Sequence, residues 1–415
     1  MWKAFASLFV AVAVAMLGIG IISPILPLYA ETFSASGLAI GFVFAAFSIS
    51  RALLGPFVGR FSDRFGRKPM ILIGLGVFAA VSLCYSLAAT IWQLALVRVV
   101  QGAASVMVTP IAQAYVGDIT PPGKEGRMMN LFYTSMFMGV AFGPLLGGLL
   151  TQWWSFHAAF AGMGILSALS LVLVAITVPL DEQRKRSLAA APTQHRRSVR
   201  ELLGMARHDL RKILQVFRHD AVKAILAYVS TRGMWRQGFN AFYPLFAVSM
   251  MGWTESQVGL VLSAYFFAGG IFQIPFGYLA DRWPRIPQIV FGSFAAPLLL
   301  LLIPFVRSTW GVLAVVFAIG ALSAFSRASI LAIRTQLGRT HGMATLAGLH
   351  GSAFASGQAV GPVMFGAVAD AMGLGAVFPF GSLLGALGSV AVVLWLRRWG
   401  GEITTPQTAE QAATD

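Results

Sequence analysis

The stretch at residues 59–69, GRFSDRFGRKP, lies between two long apolar segments and contains four basic residues, one aspartate and two glycines. A related stretch, GYLADRWPRIP, occupies residues 277–287 in the same kind of position. Two charged connections of one form, each between long apolar segments, indicate a duplicated unit in which a short polar loop joins two helices.

The composition is that of a membrane protein. Of the 415 residues, 57% are hydrophobic and 11% are charged, whereas soluble domains carry about 25% charged residues. A helix of about 20 apolar residues crosses the ~30 Å of hydrocarbon in a bilayer. The sequence therefore predicts an all-α integral membrane protein with twelve transmembrane helices, at residues 4–29, 38–57, 70–89, 91–117, 128–151, 157–180, 221–250, 257–280, 288–306, 310–333, 344–370 and 375–396.

The basic residues are concentrated on one side of these predicted spans. The formal net charge is +15, which in a soluble protein would suggest a nucleic-acid partner. If the N-terminus is cytoplasmic, 24 of the 30 Lys and Arg lie in the loops and tails of that side, and Arg307 alone lies on the other. By the positive-inside rule, we expect both termini in the cytoplasm, a lipid bilayer rather than a nucleic acid as the partner, and a bacterial inner membrane as the location.

The first apolar segment and the single cysteine add two further expectations. The segment is too long for the core of a signal peptide and is expected to remain as an uncleaved first helix. Cys84 falls within a span, so neither a disulfide framework nor a thiolate metal site is expected. We expect no cofactor and no metal.

The two halves are related by one sequence offset. Asp63 and Asp281 are 218 residues apart, and so are Gly102 and Gly320. A single offset across several helices predicts two six-helix units. The expected organisation is an N-terminal six-helix bundle, a basic cytoplasmic linker, a C-terminal six-helix bundle and a polar cytoplasmic tail, at residues 1–180, 181–220, 221–398 and 399–415.

The linker itself has a helical pattern. Between residues 199 and 217, apolar side chains recur at three- and four-residue steps, with basic side chains mostly between them. This predicts a basic amphipathic helix on the inner leaflet. A solvated tether is the alternative.

Several motifs resemble those of one transporter family. The loop GRFSDRFGRK resembles the signature loop of the major facilitator superfamily, and the loop at 277–287 resembles its weaker second copy. The fourth helix contains RVVQGAASVMVTP, which is similar to the family's Arg-x-x-Gln-Gly pattern through Arg98, Gln101 and Gly102. The fifth helix contains GVAFGPLLGG and the first contains LGIGIISPILP, and both resemble the twelve-helix drug/proton antiporter-type exporters.

The resemblance implies two pseudo-symmetric six-helix bundles around a central cavity that opens to each side of the membrane in turn. It also implies that Asp63 and Arg67 stabilise one closed state. We expect a monomer that carries a small molecule. The residues to which it gives conformational or gating roles are Gly59, Asp63, Arg64, Gly66, Arg67, Lys68, Gly139, Gly143, Pro144, Gly147, Gly148, Gly277, Asp281 and Arg282. Glycines four residues apart also let a neighbouring helix approach closely, so a static packing seam is the alternative for the fifth helix.

The charges within the predicted spans are all positive. The five arginines at 51, 98, 232, 236 and 327 fall inside spans, whereas all fifteen carboxylates lie in loops, tails or span ends. An arginine at mid-bilayer costs about 2.5–3.5 kcal/mol on insertion scales, so these cations need water, backbone carbonyls or a bound anion. Arg327 is expected to extend to the inner surface.

Helix seven carries a polar stripe. Tyr228, Arg232, Arg236 and Asn240 recur every four residues and therefore share one broad face. We expect this face and Arg98 to line the cavity and to meet a negatively charged group of the substrate; the alternative is that the guanidinium groups cap carbonyls of broken helices. The candidate substrate-binding residues are Arg51, Arg98, Gln101, Tyr228, Arg232, Arg236 and Asn240.

Transport is the expected function. The sequence shows no acid–base pair, metal cluster or activated nucleophile that an integral-membrane enzyme would need, and no soluble signalling domain that would mark a receptor built on a transporter fold. Exporters of this kind usually keep a carboxylate inside the first helix, and this chain has none there. His350 is the candidate proton carrier because histidine titrates near neutral pH; a packed histidine is the alternative.

We therefore expect a secondary active transporter that moves a small organic solute by alternating access. Proton-coupled export of an anionic or zwitterionic substrate is the favoured form. The alternatives are a multidrug/proton antiporter for lipophilic compounds, the uptake or exchange of an anion, and, from a different class, a substrate-sensing membrane receptor on a transporter fold.

Overall fold

A computed structural model describes residues 2–120, 125–179, 217 and 219–399 and confirms the all-α fold. Within those ranges there are thirteen α-helices, which we number in chain order. They are α1 Trp2–Glu31, α2 Gly37–Phe65, α3 Arg67–Leu87, α4 Ile91–Ile119, α5 Glu125–Trp153, α6 Phe156–Thr177, α7 Asp220–Met251, α8 Glu255–Ile271, α9 Gln273–Arg282, α10 Arg285–Leu298, α11 Thr309–His341, α12 Met343–Met372 and α13 Val377–Arg398.

These helices form the twelve predicted spans. The eighth span is interrupted at Phe272, which divides it into α8 and α9, because Pro275 cannot donate the backbone hydrogen bond that would continue the helix. The ninth span ends as a 3₁₀ helix, Leu299–Phe305, which follows Pro297. The predicted linker lies outside the described residues except for Phe217, His219 and Asp220, and so does the predicted tail beyond Trp399.

Ten spans among the described residues are apolar enough to cross a membrane on composition alone. The two helices that are not among them, α7 and α12, have 32 and 30 residues and are therefore about 48 and 45 Å long at 1.5 Å per residue. Both exceed the hydrocarbon thickness of a bilayer. Their lower hydropathy follows from side chains such as Arg232 and Arg236 on α7, and from the many glycines and serines of α12.

The two ends of the molecule differ in charge. Six connections lie on the side of the membrane opposite the N-terminus, at residues 32–36, 88–90, 154–155, 252–254, 306–308 and 373–376. Together they contain one basic residue, Arg307. We call this the opposite end. The other end, with the turn at Gly66 between α2 and α3, is the basic end.

The sequence offset is visible in the helix packing. The backbone of Gly102 on α4 packs against Phe47 on α2, and Gly320 on α11 packs in the same way against Tyr265 on α8. Each residue of the second pair stands 218 positions after its partner in the first. The two halves are therefore bundles of six spans with the same design, α1–α6 and α7–α13, in which α8 and α9 together form one span.

The halves meet mainly along two seams near the opposite end. In one seam Gly41 of α2 lies against Pro362 of α12, and in the other Gly259 of α8 lies against Pro144 of α5. Both seams obey the 218-residue offset. At each of these glycines a side chain would collide with the backbone across the seam, so the close approach requires glycine.

Buried clusters show where the halves part. The largest cluster contains side chains from both halves, including Ile25 and Phe242. Two others, one around Phe78 and one around Ile330, each contain side chains from a single half. The halves therefore share a core toward the opposite end and have separate cores toward the basic end.

Candidate functional site

Four of the five arginines within the spans lie at one level. Arg51, Arg232, Arg236 and Arg327 lie between 12 and 16 residues from the basic-end termini of their helices, which corresponds to about 18–24 Å along the helix axis. Arg98 lies elsewhere, about 10 Å from the opposite-end terminus of α4. One half contributes Arg51 to this level, and the other contributes three arginines.

Arg232, Arg236 and Arg327 form a cluster in the C-terminal half. They are close enough to interact electrostatically with one another and with the hydroxyls of Tyr228 and Tyr265. The structure shows three ion pairs among the described residues, and none of them includes an arginine of this cluster. The cluster is thus a concentration of positive charge without a carboxylate partner in the described part of the chain.

The carboxylates keep to the helix ends, as the sequence predicts. Every described aspartate or glutamate lies within two residues of a helix terminus: Glu31, Asp63, Asp118, Glu125, Asp220, Glu255, Asp281 and Asp370. The described interior of the membrane-spanning region therefore contains cations and no anions.

Arg327 does not extend to the inner surface, so that expectation is wrong. Its Nε donates to Gln273 Oε1 at 2.6 Å, and a terminal nitrogen donates to the carbonyl of Gly269 at 2.8 Å. The break between α8 and α9 leaves carbonyl groups of the last turn of α8 free to accept such a bond. The guanidinium carbon also lies 5.4 Å from the ring centre of Phe137 on α5, in the other half.

Arg236 and Arg232 have fewer hydrogen-bond partners. The guanidinium carbon of Arg236 lies 5.4 Å from the ring centre of Phe266 on α8 and 5.9 Å from that of Phe354 on α12. The Nε atoms of Arg232 and Arg236 are both buried without a hydrogen-bond partner in the structure. These two cations therefore retain donors that a bound ligand can use.

The polar stripe of α7 is not a single cavity-lining face, contrary to the prediction. Tyr228 is 6% exposed and shares a 2.7 Å hydrogen bond with Ser326 of α11, inside the C-terminal half. Asn240 is 4% exposed, and its Oδ1 has no hydrogen-bond partner. The middle of the stripe, Arg232 and Arg236, is half-buried. Tyr228 and Arg232 line one cavity inside the C-terminal half, whereas Asn240 is buried farther along α7, so the stripe as a whole does not face one space.

Arg98 and Gln101 form a separate site in the N-terminal half, so the expected convergence with α7 is wrong. Arg98 is buried, and it donates to Gln101 Oε1 at 2.7 Å. The same oxygen accepts from the Tyr85 hydroxyl at 2.7 Å. The Arg98 guanidinium lies 4.4 Å from the ring centre of Phe47 and 5.3 Å from that of Phe44, both on α2. Residues three apart on a helix are neighbours, so the spacing of Arg98 and Gln101 could have predicted their contact. No sequence signal pointed to Tyr85.

Arg51 is exposed on α2, with its guanidinium carbon 5.9 Å from the ring centre of Phe47. Its neighbour Ser50 donates to the carbonyl of Val99 and so fixes this part of α2 against α4. The structure therefore places Arg51 at the level of the C-terminal cluster, with an exposed side chain.

The described side-chain hydrogen bonds of the signature loop, residues 59–69, are all made within the N-terminal half. Arg67 Nε donates to Asp118 Oδ2 at 3.2 Å, at the end of α4. The second copy has the same geometry: Arg285 donates to Gln336 at 2.9 Å, and both residues follow the 218-residue offset. Arg285 was missed as a candidate, although the offset alone points to it. The side chain of Asp63 lies outside the described residues.

The other loop residues have simpler surroundings. Lys68 donates to the carbonyls of Ala175 and Val178 at the end of α6, where the helix dipole favours a cation. Gly66 ends α2 with φ of 98°, a conformation that favours glycine. The remaining loop candidates are exposed or lie in open space: Gly59, Arg64, Gly277, Asp281 and Arg282.

The fifth-helix motif holds two helices at once. Gly139, Gly143 and Gly147 pack against the backbone of α1 in the same half, whereas Gly148 and Pro144 contact α8 of the other half. The glycines four residues apart therefore share the close approach that their spacing predicts. One helix thus connects the interior of its own bundle to the seam between the bundles.

His350 on α12 is half-buried, and its Nδ1 has no hydrogen-bond partner. Its electrostatic neighbours are Arg334 and Arg232. The histidine therefore borders the arginine cluster, and its role in carrying a proton remains a prediction.

The sequence matches the family model of the Major Facilitator Superfamily over residues 8–254 and 224–414. It is 25% identical to an uncharacterized MFS-type transporter of Methanocaldococcus jannaschii, over 92% of this chain and 95% of that protein. It is 24% identical to Multidrug resistance protein 1 of Bacillus subtilis, over 92% and 93%. It is 23% identical to the quinolone resistance protein NorA of Staphylococcus aureus, over 85% and 87%.

Solved structures share the fold. A bacterial homologue of the human lysosomal transporter Spinster, in an inward-facing and occupied conformation, superposes with a TM-score of 0.75 at 15% identity, over 95% of this chain and 96% of that one. A mutant form of the nucleoside transporter NupG also gives 0.75, at 14% identity and over 94% and 99%.

Proposed function

Because the chain belongs to the major facilitator superfamily and is therefore a multi-pass membrane transporter rather than an enzyme, we propose that it exports a small organic anion or zwitterion by proton-coupled alternating access. The family fixes the class of activity. The chemistry of the described side chains supports the substrate class.

One observation carries the proposal: the cluster of Arg232, Arg236 and Arg327 has no carboxylate partner among the described residues. Three arginines near mid-bilayer together cost about 8–10 kcal/mol on insertion scales. That is comparable to the whole stability of a typical domain. A bound anion would offset this penalty, and the two buried Nε atoms without partners supply donors for it.

The geometry suggests a path for the substrate. The cavity opens at the basic end, which we assign to the cytoplasm because basic residues favour that side. An anion that enters there reaches the arginines about 18–24 Å along the helices. Release on the far side requires the two seams at Gly41 and Gly259 to part. In this proposal the protein acts as a monomer, in a bacterial inner membrane.

Export and proton coupling are supported more indirectly. Two relatives are named for resistance to drugs, and export of a drug is one way in which a membrane transporter can give resistance. The described chain contains no nucleotide-binding domain, so an ion gradient is the natural source of energy. His350, beside the arginine cluster, is the candidate group for the proton.

Export of lipophilic compounds is the second candidate function. Aromatic rings surround the cations, with Phe266 and Phe354 near Arg236 and Phe137 near Arg327. Such rings bind flat apolar molecules as well as cations. The drug-resistance relatives favour the same function.

Purified protein in liposomes, tested with organic anions, zwitterions and lipophilic cations, separates the two functions. We expect saturable flux of anions or zwitterions that an opposing proton gradient accelerates. The double variant Arg232→Gln, Arg236→Gln should lose this flux at least tenfold, whereas the control Arg307→Gln, at the opposite end, should retain it. Unchanged flux in the double variant, or a preference for lipophilic cations, would overturn the anion proposal.

A further inference from the structure

A second cavity lies inside the C-terminal half, enclosed by α7, α10, α11 and α13. The centre of a water-sized sphere can occupy about 20 Å³ of it, which is room for one water molecule or one small ion. Its walls come from one bundle alone, so it is distinct from the central cavity between the halves. Small residues, including Gly385 and Gly388 of α13, leave room for it.

Two buried polar groups at this cavity have no hydrogen-bond partner, and both can donate. Arg232 lines it, with an Nε that is buried and has no partner. Ser323 also lines it; this side chain is 3% exposed, and its hydroxyl is likewise without a partner. In contrast, the hydroxyl of Ser389 is already bonded to the carbonyls of Ser293 and Gly385. The groups at the cavity that can still donate a hydrogen bond are therefore the guanidinium of Arg232 and the hydroxyl of Ser323.

The positive charge around the cavity favours a negatively charged ligand. No carboxylate lines it. Arg232 at its wall interacts electrostatically with Arg236 and Arg327, so the local potential is positive. Buried donors and unpaired cations at a cavity favour an anion over water or a cation.

We propose that this cavity binds a small inorganic anion of about the size of chloride, held by Arg232 and Ser323. The anion is a resident ligand of the C-terminal half rather than the transported substrate. Its charge would offset the mutual repulsion of the three arginines, which the described carboxylates do not neutralise. The cavity lies within one half, whereas the proposed substrate site lies between the halves; the two share Arg232, and the inference does not depend on the identity of the substrate.

The test is thermal unfolding of the detergent-purified protein, without organic substrate, in sodium chloride or sodium gluconate at constant ionic strength. We expect chloride to raise the melting temperature in a saturable way, with bromide and nitrate as substitutes. Ser323→Ala should weaken the apparent chloride affinity about tenfold, because a hydrogen bond to a charged group is lost. The matched control is Ser105→Ala, at the position that corresponds to Ser323 in the N-terminal half, where a buried serine bonds only to a carbonyl.

Two results would overturn the inference. One is a melting temperature that does not depend on chloride at constant ionic strength. The other is equal chloride dependence in both serine variants. An anomalous bromide peak between Arg232 and Ser323 in crystals would support it directly. Because no organic substrate is present, a melting temperature that does not depend on chloride leaves the proposed transport function standing. The site is tested apart from transport by Ser323→Ala, which keeps Arg232 and Arg236.

Discussion

The opposite-end seam between α2 and α12 is closed by a carboxylate, and removing it should open the seam. Asp370 Oδ1 accepts from the backbone N–H of Gly37 at 2.6 Å, and Oδ2 accepts from that of Leu38 at 2.9 Å. The carboxylate thus caps the first turn of α2 from the other half of the molecule. At the second seam the position related by the offset is Gln152, which accepts from the N–H of Ser256 at 3.3 Å.

The magnitude follows from the two caps. Loss of a charged N-cap destabilises a helix terminus by about 1–2 kcal/mol, because both the hydrogen bonds and the interaction with the helix dipole are lost. Since this contact exists only while the seam is closed, Asp370→Ala should lower the ratio of closed to open molecules about 5- to 30-fold. A single longer bond from a neutral amide contributes about 0.5 kcal/mol, so Gln152→Ala should change the ratio only about twofold.

Electron-spin distance measurements across the opposite end provide the assay. Labels at Ala89 and Arg307 lie on connections of different halves, and Cys84→Ser removes the one native cysteine. We expect Asp370→Ala to shift the population strongly to longer distances, and Gln152→Ala to shift it slightly. Equal distance distributions in the two variants would refute the reasoning, because charge-assisted capping would then contribute no more than a neutral bond.

Three further changes test other contacts. Gly41→Val should also open the seam, because its side chain would collide with a carbonyl of α12 at a typical strain of about 1–3 kcal/mol; Gly59→Val, with open space around it, should leave the same spin-label distances unchanged. Gln101→Leu should lower the melting temperature clearly, because the buried Arg98 loses its acceptor, a loss of about 2–3 kcal/mol. Lys68→Met should lower it less, since two bonds to exposed carbonyls at a helix end contribute about 1 kcal/mol.

The sequence predicted features that depend on length, period and offset. A run of about 20 apolar residues has few alternatives to a spanning helix, so the twelve spans could be read directly. The offset between Asp63 and Asp281 indicated two equivalent bundles, and the packing of Gly102 and Gly320 confirms that equivalence. The absence of carboxylates from the described interior followed from their positions near helix ends.

The partners of the arginines could not be predicted, because they depend on how each helix is rotated against its neighbours. Arg98 turns toward α2 and α3 rather than toward α7. Arg327 reaches a carbonyl that is free only because α8 is interrupted, and the apolar pattern predicts that span as one helix. A periodic stripe establishes that residues share a side of a helix, but it does not establish that one cavity receives them all.

The two halves share their glycine packing contacts but differ in the charged and polar side chains of their helices. The glycine contacts recur at the 218-residue offset, but Arg98 and Gln101 correspond to Val316 and Ile319 in the second half.

In the reverse direction, Arg232, Arg236 and Arg327 correspond to Val14, Gly18 and Thr109. Glycine contacts that both copies share support an action common to both bundles, which is to close and open along the two symmetric seams. Charges present in one copy serve something that only that half does. The unpaired cations of the second half lie on α7 and α11, and the interrupted α8 accepts a hydrogen bond from Arg327. Side-chain changes on these three helices should therefore alter which substrate is carried, without altering how the two bundles move.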